Sequence, residues 1–132
     1  MNKRRTVLIV DDDALLRASI DSVLTTVGYR TLTTGDPDAA YRLLAAEPVT
    51  AVLLDVRLSA MSGLAFYLAV VRRWPHLVRR IALMTADADA PDVNAWLRRN
   101  PCTVLRKPFT FRQVTDWLDA AVQAAERTAS AG

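Results

Sequence analysis

Short apolar runs alternate with segments of helical period along nearly the whole chain, and this alternation most constrains the fold. Val7 to Val10 is an unbroken apolar strand. Leu16, Ile20, Val23, Leu24 and Val27 then recur at helical spacing, and Gly28 supplies a stop. Tyr29 to Thr33 reads as a weaker strand, and Pro37 to Ala46 as a helix with proline near its first turn. Ala51 to Leu54 is the third strand and Leu64 to Trp74 the third helix, ended by Pro75. Arg80 to Met84 and Thr103 to Leu105 are the last two strands. Between them a short helix runs from about Pro91, with Val93, Trp96 and Leu97 apolar, and stops at Asn100-Pro101. A final helix, Phe111 to Ala125, has Thr110 as its N-cap. Residues 127–132, rich in Ala, Ser and Gly, read as a disordered tail, so residues 1–126 form one domain. No internal repeat and no linker to a second domain is visible.

Five βα units of this size imply an α/β fold with a parallel sheet covered on both faces. The expected architecture is flavodoxin-like and doubly wound, with strand order 2-1-3-4-5. Right-handed crossovers then bring every strand's carboxyl end to one edge. Hydrophobic residues make up 52% of the chain, enough for a packed core. No apolar stretch approaches the roughly 18 residues a membrane span needs, so a membrane partner is not expected. The opening run Val7 to Val10 meets three acids at once, which argues against a secretory leader. Cys102 is the single cysteine, which excludes an internal disulfide and a thiolate metal cluster. A cytoplasmic protein fits these features. The formal net charge is +3, and basic pairs recur at Arg4-Arg5, Arg72-Arg73, Arg79-Arg80, Arg98-Arg99 and Arg106-Lys107. They read as solvated ends of amphipathic helices rather than as a nucleic-acid surface.

The polar residues at the strand ends form a set. Asp11, Asp12 and Asp13 follow the first strand, Asp55 the third, Thr85 the fourth and Lys107 the fifth. In the expected strand order the crevice between strands one and three is where such folds bind ligands. Each residue also has an ordinary reading. One of the three acids would cap the first helix, and Asp55, Thr85 and Lys107 could each be a plain strand end or turn. All of them together on one edge call for more. Asp11, Asp12 and Asp55 are like charges forced close, and their titrations would couple. A hard dication compensates them, and oxygen-only ligands favour Mg²⁺ over zinc. Mg²⁺ and Lys107 would then clamp an arriving phosphoryl group. Asp55 would be the nucleophile that accepts it.

The segments "VLIVDDD", "VLLDVRLSAMSG", "ALMTA" and "VLRKPF", in this order, resemble the receiver domain of two-component response regulators, over about Thr6 to Glu126. The resemblance implies that Asp11 and Asp12 hold Mg²⁺, Asp12 the more directly, and that the backbone carbonyl of Arg57 completes the shell with Asp55. It implies that Asp55 takes its phosphoryl group from a histidine kinase or a phosphotransfer protein. Thr85 would reorient toward that group, Lys107 would pair with it, and Lys107-Pro108 would be a cis peptide. The domain would be a signalling module, assisting only its own phosphorylation and dephosphorylation, with an output partner that stays unnamed. Homodimerisation is left open.

The chain departs from the family at two places. Ser59 stands where the family usually has proline, although Gly63 keeps its usual place. Val104 stands where the family often has an aromatic ring that swings inward with the threonine. A switch on the face of the fourth helix, fifth strand and fifth helix must then use other groups, with Trp96 and Trp117 as candidates against a reading of ordinary helix packing. Arg57 and Asp87 flank the acceptor and the threonine, and they are expected to meet over the phosphoryl group and hinder attacking water. Cys102 reads as a small core residue and His76 as a loop residue. The competing function is a receiver-like protein-binding module that works without phosphorylation.

Overall fold

A computed structural model of the chain describes residues 5–131. Arg4 of the first basic pair and Gly132 of the expected tail lie outside the described residues. The order is β1 (Thr6–Val10), α1 (Ala14–Thr26), β2 (Arg30–Thr34), α2 (Pro37–Ala46), β3 (Ala51–Asp55), α3 (Gly63–Arg73), a 3-10 turn (Pro75–Leu77), β4 (Ile81–Thr85), α4 (Pro91–Arg99), β5 (Thr103–Arg106) and α5 (Phe111–Ala131). The five strands form one sheet in the order β2-β1-β3-β4-β5, and every adjacent pair is parallel.

The continuous apolar runs follow from burial on both faces. Every residue of β1, β3 and β4 is buried, whereas the edge strands β2 and β5 are partly exposed. Alternate residues of the central strands point to opposite sides. Leu8, Val10, Val52, Leu54 and Leu83 pack with Ala40, Leu44, Phe66, Tyr67, Val70 and Val93 from α2, α3 and α4. Val7, Ile9, Leu53, Ala82 and Met84 pack with Ile20, Leu24, Val114 and Leu118 from α1 and α5. Edge position explains why β2 carries threonines and arginine and reads weakly by sequence.

The helix ends use the residues the sequence offers. Asp13 caps α1, Asp36 caps α2 and Ser62 caps α3, each accepting from backbone N–H groups of its helix's first turn. Thr110 and Gln113 form a reciprocal box at the start of α5, with the Gln113 N–H donating to Thr110 Oγ1 and the Thr110 N–H donating to Gln113 Oε1. Gly28 follows α1 with φ +103°, the left-handed conformation that glycine adopts without penalty. Arg72 and Arg73 lie in the last turn of α3, and Arg98 and Arg99 in the last turn of α4.

One expectation is corrected. Helix α5 continues to Ala131, so the backbone from Arg127 to Ala131 is helical rather than a frayed tail. Residues 126–131 contain neither Gly nor Pro, and Ala, Glu and Arg sustain a helix at little cost. Ala121 and Ala125 are buried, and Arg5 holds Glu126 at 2.8 Å, which ties this end of α5 to the start of β1. No helix among the described residues is long and apolar enough to cross a membrane.

Candidate functional site

The three consecutive acids after β1 divide into three jobs because each points differently. Asp13 Oδ1 accepts from the N–H groups of Leu15 and Leu16 and is used as a cap. Asp11 turns inward, with its side chain only 1% exposed. Its Oδ1 accepts from the Asp13 N–H at 2.8 Å, and its Oδ2 accepts from Lys107 Nζ at 2.9 Å. Asp12 turns outward and across the crevice, where its Oδ2 accepts from both the backbone N–H (2.7 Å) and the hydroxyl of Ser59.

Asp55 is the last residue of β3, and the parallel register sets it beside Met84 of β4. Its Oδ1 accepts from the Arg57 N–H at 3.0 Å, and its Oδ2 lies 3.4 Å from Lys107 Nζ. Lys107 thus bridges Asp11 and Asp55, which are 44 positions apart in sequence, from just beyond the end of β5. The preceding chain is held to β4, because the Lys107 N–H donates to the Thr85 carbonyl at 2.9 Å. Thr85 ends β4 and is buried, and its hydroxyl oxygen accepts from the Asp87 N–H at 3.0 Å. The Lys107-Pro108 peptide is cis.

Electrostatics at this edge are strained in one direction. Burial pushes the Asp55 carboxyl above its ordinary value, and the charge of Asp11 adds to the rise. The Arg57 N–H and Lys107 pull it back without cancelling the shift. Desolvation opposes the Lys107 ammonium, but the hydrogen bond and charge of Asp11, then those of Asp55, outweigh it and raise its pKa. Two carboxylates, Asp11 and Asp55, face one ammonium, and Asp12 adds a third acid at the same edge, which leaves negative charge in excess and suits a cation.

The donor set has the chemistry of a magnesium site: carboxylate oxygens, with no imidazole or thiolate beside them. Among the described residues, however, no three acidic, histidine or cysteine side chains already stand close enough to hold a metal ion. Asp11 and Asp55 face Lys107, while Asp12 faces Ser59.

Arg57 and Asp87 do meet, with Nε 3.7 Å from Oδ2. The closer partner is Asp92, in the first turn of α4, whose carboxylate oxygens accept from the guanidinium at 3.2 and 3.4 Å. That hydrogen bond holds the Asp92 carboxyl below its ordinary value. Sequence reasoning missed both Asp92 and the role of Ser59 as donor. Asp92 follows Pro91 in a helix start, where an acid is ordinary, and nothing in its spacing points to Arg57.

The remaining candidates fall elsewhere. Trp96 packs edge-on against Tyr67, with ring centroids 5.1 Å apart, and its buried indole Nε1 has no hydrogen-bond acceptor among the described residues. Val104 and Cys102 are half-buried on the same side of the sheet, and burial pushes the Cys102 thiol up to about 11. Trp117 packs on the opposite side, with the α1 and α5 residues. The two tryptophans therefore do not share one buried cluster. His76 is exposed, in the 3-10 turn.

Comparison with known proteins agrees with this geometry. The sequence profile of the response regulator receiver domain matches residues 7–119. The hydrogenase transcriptional regulatory protein HoxA of Cupriavidus necator is 30% identical over 128 residues, which is 93% of this chain and 25% of that protein. The probable chemotaxis protein CheY of Rhizobium etli is 29% identical over 116 residues, 86% of this chain and 89% of that protein. The chain thus spans about a quarter of the length of the first of these relatives. Among solved structures, a CheY-like receiver domain protein from Methanospirillum hungatei superposes with a TM-score of 0.87 at 18% identity, over 96% of this chain and 99% of that one. With the strand order, the acidic edge and the profile match in agreement, the chain belongs to the response regulator receiver domain family.

Proposed function

We propose that this domain is a phosphoacceptor and that Asp55 takes the phosphoryl group. The observation that carries the reading is Lys107 Nζ set between Asp11 and Asp55 at the sheet's carboxyl edge. The donor is a phosphohistidine on a kinase or phosphotransfer protein. The P–N bond to its imidazole breaks, a P–O bond to an Asp55 carboxylate oxygen forms, and the electron pair returns to the imidazole nitrogen, which takes up a proton. Lys107 faces the acceptor oxygen and offers its charge to the incoming phosphoryl oxygens. Thr85, at the end of the neighbouring strand, would offer its hydroxyl once the group has arrived. Asp11, Asp12, Asp55 and the Arg57 carbonyl would hold Mg²⁺, which supplies charge neutralisation of the phosphoryl oxygens. Arg57, paired with Asp87 and Asp92, stands at the mouth of the site and hinders attacking water.

The acyl phosphate adds about one negative charge to an edge already rich in it, and this biases the surrounding loops and α4 toward a partner-binding state. The test is incubation with Mg²⁺ and acetyl phosphate, followed by mass spectrometry. The wild type should gain one phosphate mass and Asp55→Asn should not. An unmodified wild type would sink the proposal and favour the module that binds partners without phosphorylation.

A further inference from the structure

Asp12 is read above as a magnesium ligand, yet the structure gives its carboxylate another occupation. Ser59, 47 positions away in the loop after β3, donates both its hydroxyl and its backbone N–H to the same Asp12 oxygen. Neither donor exists in proline, the residue the family usually carries there, because proline has no N–H and no hydroxyl. Both side chains are exposed, so each exchanges partners at modest cost. In this arrangement Asp11 and Asp55 face Lys107, Asp12 faces Ser59, and no three-carboxylate group is assembled among the described residues.

We infer that Ser59 is a latch on the metal ligand: it holds the Asp12 carboxylate away from Asp11 and Asp55, and Mg²⁺ binds only as that latch opens. The inference rests on Asp12 as a magnesium ligand, and it makes Ser59 a positioning residue for the ion. A binding-competent state that is only fractionally populated weakens apparent affinity by that fraction. A pair of hydrogen bonds to an exposed carboxylate closes the latch most of the time without locking it. The consequence is a domain tuned to higher free Mg²⁺ than a proline at this position would require.

Titration of the whole chain with MgCl₂ by calorimetry tests this on the wild type, Ser59→Ala and Ser59→Pro. Ser59→Ala removes one donor and should tighten the Mg²⁺ dissociation constant by roughly three- to tenfold, the worth of one modest hydrogen bond. Ser59→Pro removes both and should tighten it further. Thermal melts separate a latch from a merely structural serine. The latch stabilises only the metal-free protein, so Ser59→Ala should melt lower than wild type in EDTA and at the wild-type temperature in saturating Mg²⁺. Equal or weaker Mg²⁺ binding by Ser59→Ala overturns the latch, as does an equal loss of stability in both buffers. Absence of Mg²⁺ binding in all three proteins overturns the magnesium reading as well, so the two failures are distinguishable.

Discussion

Gly63→Ala is a demanding test, because one methyl group collides with the acceptor's own backbone. A Cβ on Gly63 would lie 2.0 Å from the Asp55 carbonyl oxygen and 2.8 Å from the Val56 Cα. Ordinary contact begins at 3.4 Å, so the helix start and the end of β3 must separate by about 1.4 Å (3.4 less 2.0). Both partners are backbone, and they are tied together, since the Gly63 N–H donates to the Val56 carbonyl at 2.8 Å. Overpacking of this kind costs about 1–3 kcal/mol when side chains yield, and backbone yields less readily. Alanine's better helix propensity returns at most about 1 kcal/mol, and less at a first-turn position. The net expectation is destabilisation of roughly 2–3 kcal/mol, or about 6–15 °C in Tm for a domain of this size. The same shift displaces Asp55, and misplacement by about 1 Å can cost on the order of 100-fold in rate. Scanning calorimetry reads the first effect, and the initial rate of phosphate gain from acetyl phosphate reads the second. A Tm within about 2 °C of wild type, together with an unchanged rate, would show that the close approach imposes no constraint and refute the reasoning.

Two further outcomes are expected. Burial and Asp11 raise the Asp55 pKa, so the folded state holds this proton more tightly than the unfolded chain, and stability falls as pH rises from the ordinary aspartate value through the raised one. In EDTA at neutral pH, Asp55→Asn should therefore melt above wild type, and the gap should narrow as the buffer is acidified; a lower melting point at neutral pH contradicts the direction of the shift. Arg57→Ala breaks only exposed ion pairs and should leave Tm within about 5 °C, because such pairs contribute about 0–1 kcal/mol. It should nevertheless shorten the lifetime of the phosphorylated protein roughly two- to tenfold, equivalent to about 0.4–1.4 kcal/mol in barrier height; an unchanged decay, followed by mass spectrometry, removes the water-hindering role.

Much of the fold is legible in the residues themselves. Val7 to Val10, Ala51 to Leu54 and Ile81 to Met84 are apolar without interruption because central parallel strands have no solvent face, and the helices between them carry their own caps and stops. The acids, threonine and lysine that follow those strands were readable for the same reason. Once strand order is inferred, the ends of β1, β3, β4 and β5 must share an edge. Boundaries were less legible at α5, where small residues suggest a tail and yet the helix runs on to Ala131.

Periodicity and capping are local, so order, direction and layer follow from neighbours within a few positions. Charge partners are not local. Lys107 lies nearer to Asp11 than to Asp55, Arg57 reaches past Asp87 to Asp92, and Asp12 is taken by Ser59. Those choices turn on differences of about half an ångström between partners 30 to 96 positions apart. Only the packed sheet, which sets where each loop emerges, decides them.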